Sequence, residues 1–504
     1  DCVVTMSASR SVTATFLPVG ELPTAPNAPL APTAVLLEPF ADVALSWLAP
    51  FDGRSPIVDY LVEYSVDGIE WQAHPDAVST ETATTIRGLV RGEVYSFRVS
   101  AVNEVGTGSP SPPSNDVSVP PAGFVPISPV RLFDTRPGEP DGVIAVPKVR
   151  VDPAGVLRIT VADVAGVPLG GVAAVALNVT VTEPDTPGFV TVHPCGELPR
   201  ASNLNFVAGQ TVPNSVIAPV SPDGAICFFS NTPTHLLADI SGYFAAEQSL
   251  TTVTPVRLFD TRPAYEQGLV PVTQQLYGPA AGVDRVLRVN VADLVGVTPS
   301  AAEIGAVVLN VTATETVGAG FVTVYPCGPL PTVSNLNFVA DQTVPNLVIA
   351  PVSADGDICL YANSPTHLVA DISGWFTKGP GTGDMTPTRV FDTRPDEPQW
   401  AVPVVKVPVG AAVVLEVHLA GLAGVPAQGT GAVALNVTAT GSTVPGFVTV
   451  YPCGSIPTAS NVNFTAGQTV PNSVIAPLSP DGRVCFAANT PTHLVVDVSA
   501  WFPA

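Results

Sequence analysis

Twelve charged or titratable residues recur in a fixed pattern and are the first candidates for chemistry. Asp134 and Arg136, Asp260 and Arg262, and Asp392 and Arg394 lie two apart; His235 and Asp239, His367 and Asp371, and His493 and Asp497 lie four apart. On an extended strand either spacing puts both side chains on one face. Brought together, each set of four would line a polar pocket for a sugar or a metal ion. The competing expectation is structural: an internal Asp–Arg pair and a hydrogen-bonded histidine that hold strand ends in register, since buried charges need partners. The asparagines of Ser202-Asn203-Leu204-Asn205-Phe206 divide the same way, with turn and ladder hydrogen bonds ahead of ligand contacts.

Cysteine is the second chemical signal. Cys2 stands alone, while Cys195/Cys227, Cys327/Cys359 and Cys453/Cys485 form three pairs with the same separation of 32 residues. One disulfide per pair is the natural expectation, worth about 3–4 kcal/mol on the chain-entropy account, and it implies a secreted or cell-surface location. The alternative is a zinc site made of two cysteines, His235 and Asp239, with its equivalents. Zinc ligands more often come as close Cys-x-x-Cys pairs, so no metal is expected. Gly-x-Ser-x-Gly, His-Glu-x-x-His and the phosphate-binding glycine loop are all missing. Six histidines and three lysines leave few bases and no evident nucleophile. No catalytic residue and no cofactor are expected, although a carboxylate pair for glycoside hydrolysis stays open.

The elements that position these residues are repeated three times. Each copy opens on a motif such as Val130-Arg-Leu-Phe-Asp134-Thr-Arg136-Pro, then carries Leu-Asn-Val-Thr, Gly-Phe-Val-Thr-Val, Gln-Thr-Val-Pro-Asn and Pro-Thr-His-Leu. From Asn178, Asn310 or Asn436 to the first cysteine is 17 residues in every copy, and from the second cysteine to the histidine is 8. Only the front half varies: Asp260 to Asn310 is 50 residues where the other copies have 44, which predicts six extra residues in a loop around Ala264 to Gly282. Val175, Leu177, Val179 and Val181 alternate with Ala176, Asn178, Thr180 and Thr182, as in a half-buried strand. Phe189 to Val192 then reads as the second arm of a hairpin, and Asp223-Gly224, Asp355-Gly356 and Asp481-Gly482 as further tight hairpins. Many short strands with proline-rich turns and almost no helix give an all-β class of tandem β-sandwich or jelly-roll domains.

Composition agrees. The 504 residues suit three to five domains, 46% apolar content is ample for cores, and 55 prolines with only 12% charged residues exclude coiled coils and helical bundles. A net charge of −22 argues against nucleic acid as a partner. No stretch is apolar enough for a transmembrane segment. The Asn-Val-Thr sites at Asn178, Asn310 and Asn436 and Asn463-Phe-Thr match the glycan acceptor pattern, but mid-strand asparagines are poor acceptors.

Residues 26–120 read differently. Trp47 in Val-Ala-Leu-Ser-Trp, Tyr60 and Tyr64 in alternation, Leu89-Val-Arg-Gly92-Glu-Val-Tyr95 and Asn103-Glu-Val-Gly106 together resemble the fibronectin type III domain. The resemblance implies a tyrosine corner in which the Tyr95 hydroxyl bonds back to the chain ahead of its strand. Residues 1–17 resemble the end of a bacterial surface repeat related to the internalin B-repeats, which would leave Cys2 an orphan and make the chain a piece of a longer protein. The repeats, at 125–247, 252–378 and 385–503, resemble a β repeat of secreted modular proteins from high-GC Gram-positive bacteria, a family that brings no mechanism. Proline-rich stretches at Leu17 to Pro32, Val119 to Pro126 and Lys378 to Asp384 read as semi-stiff linkers.

The function expected is non-catalytic and extracellular: adhesion or attachment to a surface glycan or other cell-surface polymer, with the fibronectin-like domain as a spacer. Trp375, Trp501 and Tyr243 are candidate sugar platforms, though terminal strands more often bury such residues. Two alternatives stand beside it. The repeats could meet copies of themselves, as a fibre, a sheath or a closed pseudo-trimer, or they could be the accessory tail of a secreted hydrolase.

Overall fold

In a computed structural model of the protein, residues 22–37, 42–90, 93–119, 123–153, 155–246, 249–280, 283–378, 385–411 and 413–503 are described. The remnant read at residues 1–17, with Cys2, and Gly92 lie outside them, as does all but Lys378 of the Lys378–Asp384 linker. Among the described residues every regular element is a strand and there is no helix. The chain divides into two compact units, Asp1–Pro121 and Ala122–Ala504.

In the first unit, Thr33–Leu37, Asp42–Ser46 and Ala83–Ile86 form one antiparallel sheet. Ile57–Ser65 and Val94–Asn103 centre the other. Between them Trp47 packs edge-on to Tyr60 at 5.2 Å between ring centroids, over a core that includes Val43, Leu45, Phe97 and Val99. The backbone N–H of Val90 donates to the Tyr95 hydroxyl at 2.9 Å, which is the corner expected. Two linkers need correction. Of Val119–Pro126, residues Phe124, Val125 and Pro126 are strand, paired with Phe244, Tyr243 and Gly242. The other is Leu17–Pro32. Pro26, Pro29 and Pro32 are buried, and the N–H groups of Thr24 and Asn27 donate to the carbonyls of Gly53 and Phe51. Prolines at every third residue share one ridge of a polyproline II turn, so this segment docks on its own domain instead of spacing it.

In the second unit each repeat is a sandwich of two four-stranded antiparallel sheets. In the first copy one sheet has the order Val212–Pro219, Val172–Thr182, His235–Ala245, Phe124–Asp134; the other has Leu157–Thr160, Ala225–Ser230, Gly188–Pro194, Leu204–Phe206. Both expected hairpins are therefore arches between sheets. Val172–Thr182 and Gly188–Pro194 belong to opposite sheets, and so do the strands on either side of Asp223-Gly224. The Asp-Gly turn itself forms, with the Gly224 N–H donating to Ser221 and φ at 75°, but turn chemistry fixes the bend and not the partner of the next strand. The six extra residues of the second repeat fall only partly within Ala264–Gly282. The bridges Val151↔Thr234, Tyr277↔Thr366 and Val409↔Thr492 fall 17 residues after the motif aspartate in every copy. Four of the extra residues follow Tyr277, where Gly278–Ala280 pairs with Val283–Arg285. Two more precede Ile304–Thr314.

The alternating strand Val172–Thr182 is not half-buried: nine of its eleven residues are fully buried. Val175, Leu177, Val179 and Val181 enter the sandwich core. The opposite face, Ala174 and Ala176, enters a separate cluster shared by all three repeats, with Ala306, Val308, Ala432 and Ala434. Small side chains there let three sheets approach one another. Phe244, Phe376 and Phe502 meet in a triangle with centroids 5.6–5.9 Å apart, and Ile217, Ile349 and Ile475 belong to the same cluster. The repeats thus close around a pseudo-threefold axis, each with its own core and one core in common.

Asparagines bind the three junctions. Asn214 donates to the Asn310 side-chain oxygen at 2.8 Å, Asn346 to Asn436 at 2.9 Å and Asn472 to Asn178 at 2.7 Å. Asn178, Asn310 and Asn436 in turn donate to the carbonyls of Ser460, Ser202 and Ser334. The remaining oxygens of Asn214, Asn346 and Asn472 accept the N–H groups of Leu347, Ser473 and Ser215 from the next repeat. Three of the four glycan acceptor patterns are thereby buried inside the unit. Asn346→Ala leaves the buried Asn436 oxygen, the Asn335 carbonyl and the Ser473 N–H without this partner; each such group costs about 1–3 kcal/mol. The variant is expected to lower the stability of the repeat unit by at least about 2 kcal/mol, read as a shift in its urea midpoint.

Candidate functional site

The Asp–Arg–His sets sit where the first and last strands of each repeat pair. Asp134 is buried and accepts from Arg136 three ways: from its backbone N–H at 2.9 Å, Nε at 3.1 Å and Nη2 at 2.6 Å. Asp239, on the neighbouring strand His235–Ala245, does not meet Arg136. It is joined to Asp134 through Arg131, which donates to Asp239 at 2.5 Å and to Asp134 at 3.0 Å. His235 meets neither carboxylate: its Nδ1 lies 3.2 Å from the Thr135 hydroxyl, which also accepts the Leu236 N–H.

The other copies repeat this. Arg257 joins Asp371 to Asp260, and Arg262 clasps Asp260. Arg389 joins Asp497 to Asp392, and Arg394 clasps Asp392. His367 and His493 face Thr261 and Thr393 at 3.1 Å. Arg131, Arg257 and Arg389, the central links, were absent from the candidates, although each stands three residues before the motif aspartate in its copy.

The far carboxylate oxygen of each chain crosses a junction. Asp239 accepts the Ser460 N–H at 3.3 Å, Asp371 the Ser202 N–H at 3.2 Å and Asp497 the Ser334 N–H at 3.4 Å. Each cluster therefore ties two strands together and one repeat to the next. Arg136, Arg262 and Arg394 keep part of their side chains exposed, and they form the accessible edge.

Burial sets the charges. It would raise the Asp134 and Asp392 carboxyls, but hydrogen bonds from Arg136 and Arg394 outweigh it and hold both below the usual carboxylate range. For Asp239 and Asp371 burial wins over Arg131 and Arg257, and both are raised. Asp497 is pushed up to about 6 by the same cause. Burial lowers His235 and His193.

The cysteines lie away from these clusters. Cys195–Cys227, Cys327–Cys359 and Cys453–Cys485 are bonded with Cα atoms 4.9–5.0 Å apart, tying the strands Gly188–Pro194 and Ala225–Ser230 in the first repeat and their equivalents. Neither His235 nor Asp239 joins them, and no group of three or more metal-ligating side chains occurs among the described residues. The candidate sugar platforms pack inward, the commoner fate of such residues in a terminal strand: Trp501 is buried in the third core, and Trp375 and Tyr243 pack against the second and first.

Comparison with known proteins bears on the first unit. The fibronectin type III domain family matches residues 39–117, the span that holds Trp47, Tyr60 and the Tyr95 corner. That segment is a fibronectin type III domain. It is similar to human protein sidekick-1, 41% identical over 97 residues, which is 18% of this chain and 4% of that one. It is also similar to protein sidekick-2 of Gallus gallus, 38% identical over 122 residues, 24% of this chain and 5% of that one. The alignments thus span about one twentieth of these relatives' length. Among solved structures the twitchin kinase region of C. elegans aligns at 35% identity over 19% of this chain and 17% of that one, with a TM-score of 0.18. No helix among the described residues is long and apolar enough to cross a membrane.

Asp497 gives a pH test. A carboxyl raised in the folded state contributes stability that is complete below its unfolded value and is lost as pH rises through about 6. The lowered Asp134 and Asp392 lose theirs only as pH falls below the ordinary carboxylate range, whereas His193 and His235, kept neutral by burial, oppose Asp497 between pH 7 and 5. The comparison must therefore be with Asp497→Asn. From pH 7 to pH 5 the wild type should gain about 1 kcal/mol on the variant, measured by denaturant unfolding at each pH.

Proposed function

We propose that the chain is a non-catalytic, extracellular protein of the adhesion type that attaches to a surface polymer or carbohydrate through its three-repeat unit, with the fibronectin type III domain as a spacer. Closure of the repeats carries this reading. Three copies of one arginine-edged cluster are held in a fixed relation, and several modest sites on one rigid body raise overall binding far above that of a single site. The carboxylates that catalysis would need are already engaged: Asp134, Asp260 and Asp392 between two arginines, and Asp239, Asp371 and Asp497 between an arginine and a neighbouring repeat. Three disulfides fit an oxidising, extracellular setting.

A strained backbone supports a role for the cluster edge in two of the copies. Glu183 and Glu315 hold left-handed conformations, with φ of 53° and 52°, where the third repeat has Gly441. A side chain there costs about 1–2 kcal/mol, and Glu315 reaches within 3.8 Å of His367. A fibre built from repeat-to-repeat contacts has less support. Head-to-tail surfaces make filaments only when the ring stays open, and here the third repeat returns to the first.

Titration of the full chain with cell-wall polysaccharide and a glycan panel by calorimetry is expected to show saturable binding at up to three equivalent sites. Glu183→Gly with Glu315→Gly should leave stability unchanged or raised and weaken that binding. Absence of saturable binding to any polymer would overturn the proposal.

A further inference from the structure

The three junctions differ at their outer edge. Eight residues after the motif aspartate the first two repeats carry Gly142 and Gly268, and the third carries Trp400. At the two glycines an added Cβ would fall 2.5 and 2.4 Å from the carbonyl carbons of Leu132 and Leu258, so no side chain fits there without a shift. The third repeat places the largest side chain at this position, half-buried, with its ring 5.5 Å from the Arg389 guanidinium. Arg389 is correspondingly only 10% exposed, against 20% and 25% for Arg131 and Arg257. At the first junction an ion pair between Arg200 and Glu266 spans the same region. The corresponding residues at the junction of the second and third repeats are Thr332 and Pro398, which cannot make one. What results is a groove of about 480 Å³ whose walls include Pro331, Thr332, Pro387, Arg389, Gln399 and Trp400.

The polar groups of these walls are mostly engaged. Arg389 is held by Asp497 and Asp392. Both ends of the Gln399 amide bond to the backbone of Val404 at 2.9 Å, and the Thr388 hydroxyl donates to Thr386 at 2.8 Å. There remains a neutralised surface of proline and indole, with one orphan: the Trp400 indole N–H, buried and without an acceptor among the described residues. A sugar would bring hydroxyls that lose water and gain few partners here. A charged peptide would find its complement already taken by Asp497 and Asp392, and an acidic one would be repelled by a chain of net charge −22. An uncharged polyproline II segment suits the groove, because it offers apolar ridges and carbonyls with no internal hydrogen bonds.

We propose that the groove beside Trp400, between the second and third repeats, docks an uncharged proline-rich segment of a partner protein, one per chain. The test is calorimetry and tryptophan fluorescence of the full chain with a synthetic neutral peptide that carries proline at every third residue. One saturable site is expected, weakened at least about tenfold by Trp400→Gly, the residue that both sibling repeats carry, and to a smaller extent by Trp400→Phe, which keeps an aromatic face and removes the N–H. Thermal melts of both variants establish that the unit stays folded. No peptide binding, or equal binding by Trp400→Gly, overturns the proposal, as does a neutral oligosaccharide that binds at this groove in place of the peptide. Arg389 belongs both to this groove and to the third cluster, whose accessible edge is Arg394, so polymer binding that survives Trp400→Gly separates this site from the attachment function.

Discussion

Mutual satisfaction of buried amides across the three junctions is the constraint on which the repeat unit depends. A primary amide taken out of water must find partners for both its oxygen and its nitrogen. Asn214, Asn346 and Asn472 do so by donating with the nitrogen to the next repeat and accepting with the oxygen from that same repeat. Remove one repeat and the two adjoining faces are left with unpaired amides and exposed Ala, Ile and Phe surface. The ring therefore has no cheap open form, and the phenylalanine triangle adds aromatic burial of about 1.5–3 kcal/mol per side chain.

The ion-pair chains depend on that frame. Each aspartate at the far end of a chain, Asp239, Asp371 or Asp497, uses its second oxygen on a backbone N–H of the next repeat. The same carboxylate thus pins the last strand to the first within a repeat and fastens the repeat to its neighbour. Deep burial lifts its pKa, and the surrounding arginines keep that cost bearable. The periphery is where the three copies diverge. Glu183 and Glu315 against Gly441, and Gly142 and Gly268 against Trp400, are places where the copies have done so.

Much of the architecture was legible in the chain. Trp47, Tyr60 and the Leu89-to-Tyr95 spacing identify the fibronectin type III domain because a tyrosine corner needs those residues at that distance. Constant spacings in three copies revealed the repeats, and period-two patterning gave the all-β class. The buried outer strand face stayed hidden for a physical reason: a strand face packed against a homologous domain looks like a face in water. Ala176, Asn178 and Thr180 are small or polar, as at a surface, yet they are buried because the partner presents equally small and polar groups. Asp223-Gly224 announces a turn but not which sheet receives the next strand. Arg131 escaped notice because strand parity directs attention two residues from Asp134, whereas the guanidinium reaches it from three residues away.

The account stands or falls on whether the three repeats behave as one cooperative body. Hydrogen exchange of the full chain, followed by mass spectrometry at increasing urea, reads this from the strands Val212–Pro219, Val344–Pro351 and Val470–Pro477, which carry the junction asparagines. Closure predicts that all three open with one common free energy and one urea dependence, as a single unit. A repeat whose strand exchanges at lower urea while the other two stay protected would contradict it.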